Sequence, residues 1–181
     1  MRDHQPVAQV WQSWGQVIVV SVLGLPLCAA VVWWRATAGH RGRGGRWLGA
    51  IAEVGLIAGT LPWLWMVMTP GSEPRSVRLV PLVDLYDVLR GSADTAVVQV
   101  VGNLLVFAAL GFFLPLRWRL GATAVGVIAC AGSVAIETAQ WTLDLGRVSS
   151  ADDVLINTLG AVLAALVSRP WWRRRRAEPV T

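Results

Sequence analysis

Long apolar runs separated by short polar clusters occupy most of this 181-residue chain. A run of roughly 18 or more apolar residues is long enough to cross the hydrocarbon core of a bilayer as a helix. Five segments meet or approach this length, at residues 14–34, 47–68, 97–116, 121–141 and 153–167, and the last begins with polar residues. Because lipid offers the backbone no hydrogen-bond partners, these runs are expected to be helical. The pattern predicts an all-α fold, a polytopic bundle of about five transmembrane helices joined by short loops.

The composition agrees with a protein embedded in lipid. Hydrophobic residues make up 55% of the chain and charged residues only 15%, whereas soluble domains carry about a quarter charged residues. The predicted organisation has three parts: two N-terminal spans with a basic loop at 1–75, three spans at 76–168, and a basic tail at 169–181. The net charge of +5 comes from arginines that flank the apolar runs. We therefore expect the lipid bilayer as a partner and no nucleic acid.

The arginines divide unevenly between the two sets of loops. Cytoplasmic loops carry the excess of basic residues in membrane proteins. The richer set holds eleven of the sixteen basic residues: Arg35, Arg41, Arg43, Arg46, Arg117, Arg119, Arg169 and Arg173 to Arg176. The distribution predicts a multi-pass cell-membrane protein with its N-terminus outside and its C-terminus in the cytoplasm.

The longest predicted loop, at residues 70–96, lies on the outer side. Leu82, Leu85, Tyr86 and Leu89 recur in it at helical spacing, with Asp84 on another face. This pattern is typical of a short helix lying in the membrane interface, and it is also compatible with an ordinary connecting loop.

Small residues recur at intervals of four along two of the spans. Such stripes let helix backbones approach closely in lipid, so they predict the faces by which these two helices pack. They are Gly160, Ala164 and Ser168, with Ala161 and Ala165, on the fifth span, and Ala122, Gly126 and Cys130 on the fourth.

Polar residues from three predicted helices and one loop fall at the same depth, near the outer membrane surface. Ionisable groups at membrane depth are costly and are therefore functional candidates. Spacings of three and four residues put Glu137 with Gln140, and Asp153 with Asn157, on shared helix faces. The candidate polar site consists of Asn103, Glu137, Gln140, Arg147, Asp152, Asp153 and Asn157.

A purely structural interpretation of this cluster remains open. Arg147 would pair with Asp153 or Glu137, and Asn157 would bond to Asn103, tying helices together through bonds of about 0.6 kcal/mol each. Asp152 and Asp153 would also complement the dipole of the helix that follows them. The number of costly groups gathered at one level favours a functional site.

Other polar or reactive residues stand apart from the cluster. Cys28 and Cys130 lie inside apolar runs with no His, Cys or carboxylate at ligand spacing, so we expect no metal site and no cofactor. Glu53, in the second span, is placed outside the site, where it reaches the interface or pairs with Arg46.

Two motifs resemble those of VanZ-like membrane proteins. One is the run from Gly102 to Phe107, with Gly111 beyond it; the other is Glu137-x-x-Gln140 followed by an R-x5-D-x3-N-x2-G pattern that ends at Gly160. The resemblance covers roughly residues 76–168. The family's namesake is associated with low-level resistance to the glycopeptide teicoplanin, so the resemblance implies a bacterial cell-envelope protein.

Three classes of function are compatible with these observations. The favoured one is binding or modulation of an envelope component, lipid-linked or glycopeptide-related, or of a membrane protein partner, with Arg147 offering a planar fork to a phosphate. The second is a membrane enzyme in which Glu137 or Asp153 acts as acid, base or metal ligand. No recognisable catalytic set is present, so no residue is assigned as catalytic. A transporter is disfavoured because no inverted repeat is evident.

Overall fold

The computed structural model describes residues 5–38, 43–118 and 120–177. Eight helices and two very short strands follow one another in this part of the chain. In order they are α1 (Gln5–Thr37), α2 (Arg43–Met68), β1 (Ser76–Arg78), α3 (Val83–Arg90), α4 (Ala93–Val106), α5 (Ala108–Arg117), α6 (Ala122–Thr142), β2 (Val148–Ser150), α7 (Ala151–Val167) and α8 (Arg169–Ala177). The predicted all-α class is confirmed, with one small pair of strands added.

Within the described residues, four segments are long and apolar enough to cross a membrane: Trp14–Thr37, Arg46–Met68, Ala96–Arg117 and Ala122–Thr142. They correspond to the first four predicted spans. The fifth is present as α7, but it has only 17 residues and is therefore about 26 Å long at 1.5 Å per residue. That length falls slightly short of a hydrocarbon core of about 30 Å.

The third predicted span is present as Ala96–Arg117, with its helix interrupted at a single residue. Phe107, with φ −113° and ψ 14°, separates α4 from α5. The break lies between two points at which α7 presses against this segment. A Cβ atom at Gly160 would collide with the backbone of Leu104, and one at Gly111 would collide with the backbone of Ala161. Two close backbone contacts on either side of Phe107 hold the segment around α7.

Helix α7 is the centre of the bundle and packs against α4, α5 and α6, while α1 packs on α2 and α2 on α5. Its predicted stripe of small residues is confirmed, since Gly160, Ala161, Ala165 and Ser168 are buried. The stripe predicted on α6 is confirmed only in part: Ala122 packs against the core and Gly126 lies close to Val162 of α7, but Cys130 is exposed. The buried face of α6 is rotated by one position and consists of Val125, Ala129, Ser133, Ile136 and Gln140.

The predicted outer loop contains structure of its own. Strand β1 pairs in parallel with β2, with Ser76 opposite Val148. The helix suggested by the leucine spacing is present as α3, whose residues Val83, Tyr86 and Leu89 are exposed. Its position in a membrane interface remains a prediction, and the exposed apolar residues are consistent with it.

Glu53 joins three helices at the opposite end of the bundle. Its carboxylate forms ion pairs with Arg35 of α1 and Arg117 of α5. The suggested pairing with Arg46 was therefore wrong. The structure explains why: α1 and α5 flank α2 and bring their own arginines to Glu53.

Candidate functional site

The candidate site forms where α6 ends, β2 crosses and α7 begins. Ser150 is the N-cap of α7: its backbone is extended, and its hydroxyl accepts a hydrogen bond of 3.1 Å from the backbone N–H of Asp152. This serine cap satisfies one of the free N–H groups that every helix start leaves. The same hydroxyl donates to the Asp84 carboxylate at 2.5 Å. A single serine thus links the start of α7 to α3.

Asp152 binds α3 rather than its own helix. Its two carboxylate oxygens accept backbone hydrogen bonds from Leu82, at 2.5 Å, and from Leu85, at 2.8 Å. Leu82 adopts the left-handed conformation, with φ 68°, which is uncommon for a branched, non-glycine residue. Asp152 itself is only 3% exposed. The carboxylate therefore fixes the first turn of α3 against α7, a role the sequence did not indicate.

Asp84 belongs to this network, although the sequence pattern set it apart from the candidate site. It is buried and, besides the Ser150 hydroxyl, accepts a hydrogen bond of 2.5 Å from Arg78 Nη1. That bond raises the pKa of the Arg78 guanidinium. The leucine spacing predicted the helix correctly, but the side of α3 that faces the protein is the one bearing Asp84.

Glu137 lies against the turn between β2 and α7. Its Oε2 atom accepts a 3.1 Å hydrogen bond from the Ser150 backbone N–H, and its carbonyl oxygen accepts one of 3.0 Å from the Ser149 hydroxyl. The Glu137 side chain is half-buried. Because the carboxylate has two oxygens, each able to accept more than one hydrogen bond, acceptor capacity remains beyond the Ser150 bond.

Asp153 and Asn157 bind to different helices. Asp153 accepts a hydrogen bond from Asn103 of α4. Asn157 donates one of 2.8 Å to the Ser133 hydroxyl of α6, and its Oδ1 atom is buried with no partner among the described residues. The suggested bond between Asn157 and Asn103 was therefore wrong. Ser133 was missed because a lone serine in an apolar run carries no signal of its partner.

Gln140 and Arg147 hold the end of α2. Gln140 Nε2 donates to the Val67 carbonyl at 2.8 Å, and Arg147 Nε to the Thr69 carbonyl at 3.2 Å. These carbonyls belong to the last turn of α2 and the residue after it, where helix carbonyls lack internal partners. Gln140 therefore ties α2 to the last turn of α6, and Arg147 ties it to the loop that follows α6.

The suggested ion pair of Arg147 with Asp153 or Glu137 was wrong. In the part of the chain that the structure describes, neither acid lies within ion-pair distance of the guanidinium. Burial lowers the pKa of Arg147, and the negative charges of Asp153 and Glu137 partly oppose that shift. The interaction between these groups is electrostatic attraction over a longer range.

A cleft of about 470 Å³ opens beside this network. Its walls come from the β1–α3 connection, the last turns of α6 and the first turn of α7, and they are mostly apolar. The lining residues are Val77, Leu79, Pro81, Val134, Glu137, Thr138, Trp141, Ser149, Ser150, Ala151, Val154 and Leu155. Among these described lining residues, Glu137 is the one that carries a carboxylate.

The seven sequence-predicted residues thus lie close together but divide by role. Glu137 borders the cleft, whereas Asn103, Gln140, Arg147, Asp152, Asp153 and Asn157 join helices behind it. Ser149 and Ser150 were missed, although a serine two residues before an acid at the start of an apolar run is a recognisable helix-cap signal. In the described residues, no group of three or more His, Cys, Asp or Glu side chains converges as a metal site.

The model of the VanZ/LLP1 family matches residues 50–173. The match covers more than half of the chain and includes every residue that lines the cleft. No curated protein and no solved structure matches the chain.

Proposed function

The chain belongs to the VanZ/LLP1 family, and we propose that it is a bacterial cell-envelope protein that binds an amphipathic, lipid-linked component in the cleft beside Glu137. The arginine distribution predicts that this end of the bundle faces the outside. The ligand therefore enters from the outer leaflet, with its apolar chains between α6 and α7. This binding accounts for an apolar cleft with one carboxylate in its wall.

The placement of Glu137 carries the proposal. Lipid tails are as apolar as the walls of the cleft, so apolar contact alone gives little preference for a bound chain over bulk lipid. Selectivity must come from a polar group. A carboxylate with spare acceptor capacity selects a ligand that brings an O–H or N–H donor to the depth of Glu137.

Photo-crosslinking tests the site. The probe is a diacyl lipid with a diazirine in one acyl chain, incubated with the purified full-length protein in nanodiscs. We expect labelled peptides from α6 and α7, and loss of that label in Val134→Trp, which projects an indole ring into the cleft and obstructs it. Val134 is 49% exposed and Val127, two turns away on the same helix, is 66% exposed, so Val127→Trp is a matched control that leaves the cleft open. Equal labelling of both variants and the native chain would contradict the proposal.

A membrane enzyme acting on the same class of ligand is the second candidate. One observation favours it: of the two carboxylates suggested as a general base, Glu137 borders the cleft and Asp153 does not. Glu137 is therefore the remaining candidate for the general base. The fate of a bound probe distinguishes the two functions. An enzyme converts a bound lipid-linked probe to a product detectable by mass spectrometry, and Glu137→Gln stops that conversion while the probe still binds. A binding protein returns the probe unchanged.

A further inference from the structure

An arginine side chain packs on one of the residues that line the cleft. The guanidinium carbon of Arg75 lies 4.1 Å from the centroid of the Trp141 ring, and Trp141 lines the cleft. Glu137 and Trp141 are four residues apart on α6 and share one face. At 1.5 Å per residue, Trp141 stands about 6 Å nearer the end of the helix. The cleft therefore presents a carboxylate in its wall and a cation at its rim.

The other arginines near this end of the bundle make different contacts. Arg78 binds Asp84, Arg90 lies over the Tyr86 ring, and Arg147 donates to the Thr69 carbonyl. None of these partners lines the cleft, whereas Trp141, the partner of Arg75, does.

Arg75 and Arg90 both keep N–H donors to offer, but the ring beneath Arg75, Trp141, lines the cleft, whereas Tyr86 does not. Arg75 is exposed, and within the described ranges no carboxylate lies at ion-pair distance from it. A guanidinium carries five N–H donors arranged as a planar fork. The contact with Trp141 restricts the side chain to the rim, so less of its freedom is lost when a ligand binds.

We infer that Arg75 binds a phosphate in the headgroup of the lipid that occupies the cleft. This inference rests on the proposed function and adds the chemical class of the headgroup. A phosphate matches the guanidinium in charge and in the spacing of its oxygens, and it forms short, charge-assisted hydrogen bonds with it. The phosphate sits about one helical turn beyond Glu137, where a lipid with its chains in the cleft carries its headgroup. Arg147, the residue suggested by the sequence for this role, is half-buried and does not line the cleft, and its Nε atom donates to the Thr69 carbonyl.

A lipid-binding titration separates the headgroup from the chains. The probes are fluorescent phosphatidic acid and fluorescent diacylglycerol with identical acyl chains, added to the purified full-length protein in detergent. We expect the native protein to bind phosphatidic acid about tenfold or more tightly, as a charge-assisted pair allows. Arg75→Gln should lower the affinity for phosphatidic acid to that for diacylglycerol and leave diacylglycerol binding unchanged. Arg90→Gln, another exposed arginine over an aromatic ring, is the matched control and should change neither affinity.

Two further outcomes distinguish this inference from the proposed function. If Arg75→Gln binds both probes as the native chain does, or if the native chain shows no preference for phosphatidic acid, the phosphate assignment is wrong. In either case, loss of diacylglycerol binding in Val134→Trp would leave the cleft itself supported. If Val134→Trp also binds both probes normally, the proposed function fails together with the inference. Arg75 is on the surface, and circular dichroism of Arg75→Gln verifies that its helix content is native.

Discussion

Asp152 fixes the first turn of α3, so replacing it should release that helix. Asp152 accepts both the Leu82 and the Leu85 backbone N–H groups, so Asp152→Ala removes both bonds at once without touching α3 itself. The first turn of α3 then loses the acceptor that held it. We expect α3 to open locally while the rest of the bundle stays folded.

The magnitude follows from the two hydrogen bonds that the variant loses. Hydrogen bonds to a charged group contribute about 1.5–3 kcal/mol each, which gives about 3–6 kcal/mol for the pair. The left-handed Leu82, at φ 68°, is strained in the native chain and in the variant alike, so its strain does not change the difference between them. The open population of α3 should therefore rise by about 100-fold or more.

Amide hydrogen exchange of the protein in nanodiscs measures this population directly. In Asp152→Ala the amides of Leu82 and Leu85 should exchange faster by about that factor. The neighbouring Asp153 is the matched control, because it binds Asn103 of α4 instead. Asp153→Ala should change exchange in α4 and leave α3 protected. Native protection of α3 in Asp152→Ala, or equal loss in both variants, would show that Asp152 does not hold this helix.

Three other predictions concern packing, the opposite end of the bundle and orientation. Gly160→Ala should destabilise the protein by about 1–3 kcal/mol, because the added methyl group overpacks against Leu104. Gly102→Ala is the control and should not destabilise it, because the space around Gly102 is open. Unfolding titrations with denaturant in detergent compare the two variants. Glu53→Gln should cost about 1 kcal/mol or less by unfolding free energy, and the difference should shrink at high salt, because the paired arginines are half-exposed. Reporter fusions test the orientation at five points: Gly42, Ser92, Arg119, Leu145 and Thr181. The fusions at Ser92 and Leu145 should report an outer location and the other three a cytoplasmic one. A cytoplasmic Ser92 or Leu145 fusion would refute the orientation.

The long helices could be predicted from the sequence because burial in lipid depends on local apolar content alone. The break at Phe107 could not, since residues on both sides are equally apolar. It lies between two close contacts with α7, which is more than forty residues further along the chain. The buried face of α6 was misjudged for a similar reason. A stripe of small residues indicates a face able to pack closely, but Ala129 and Cys130 differ in burial only through the rotation of the helix against α7.

The residues of the polar cluster lie close together, but several of their partners were predicted incorrectly. Equal depth brought Asn103 and Asp153 to one level, and they are hydrogen-bonded. Depth says nothing of helix rotation, so Ser133 was missed as the partner of Asn157. Bonds to backbone carbonyls, such as that of Thr69, could not be predicted either, because complementary side chains alone were considered as partners. Those partners depend on the path of the chain after α2.

The residues of the polar cluster act in two different ways. The amide of Gln140 and the carboxylate of Asp152 bind backbone groups of α2 and α3, and α3 is continuous with the segment that forms one wall of the cleft. Asp152 therefore holds the wall that precedes α3 against α7, whereas Gln140 fixes α6, another wall, to α2. Glu137 is held in turn by Ser150, yet it borders the cleft itself. Replacing the first two changes the shape and stability of the site, whereas Glu137→Gln changes its charge at constant shape. A loss of ligand binding at unchanged protein abundance is therefore the signature that separates recognition by Glu137 from support by its neighbours.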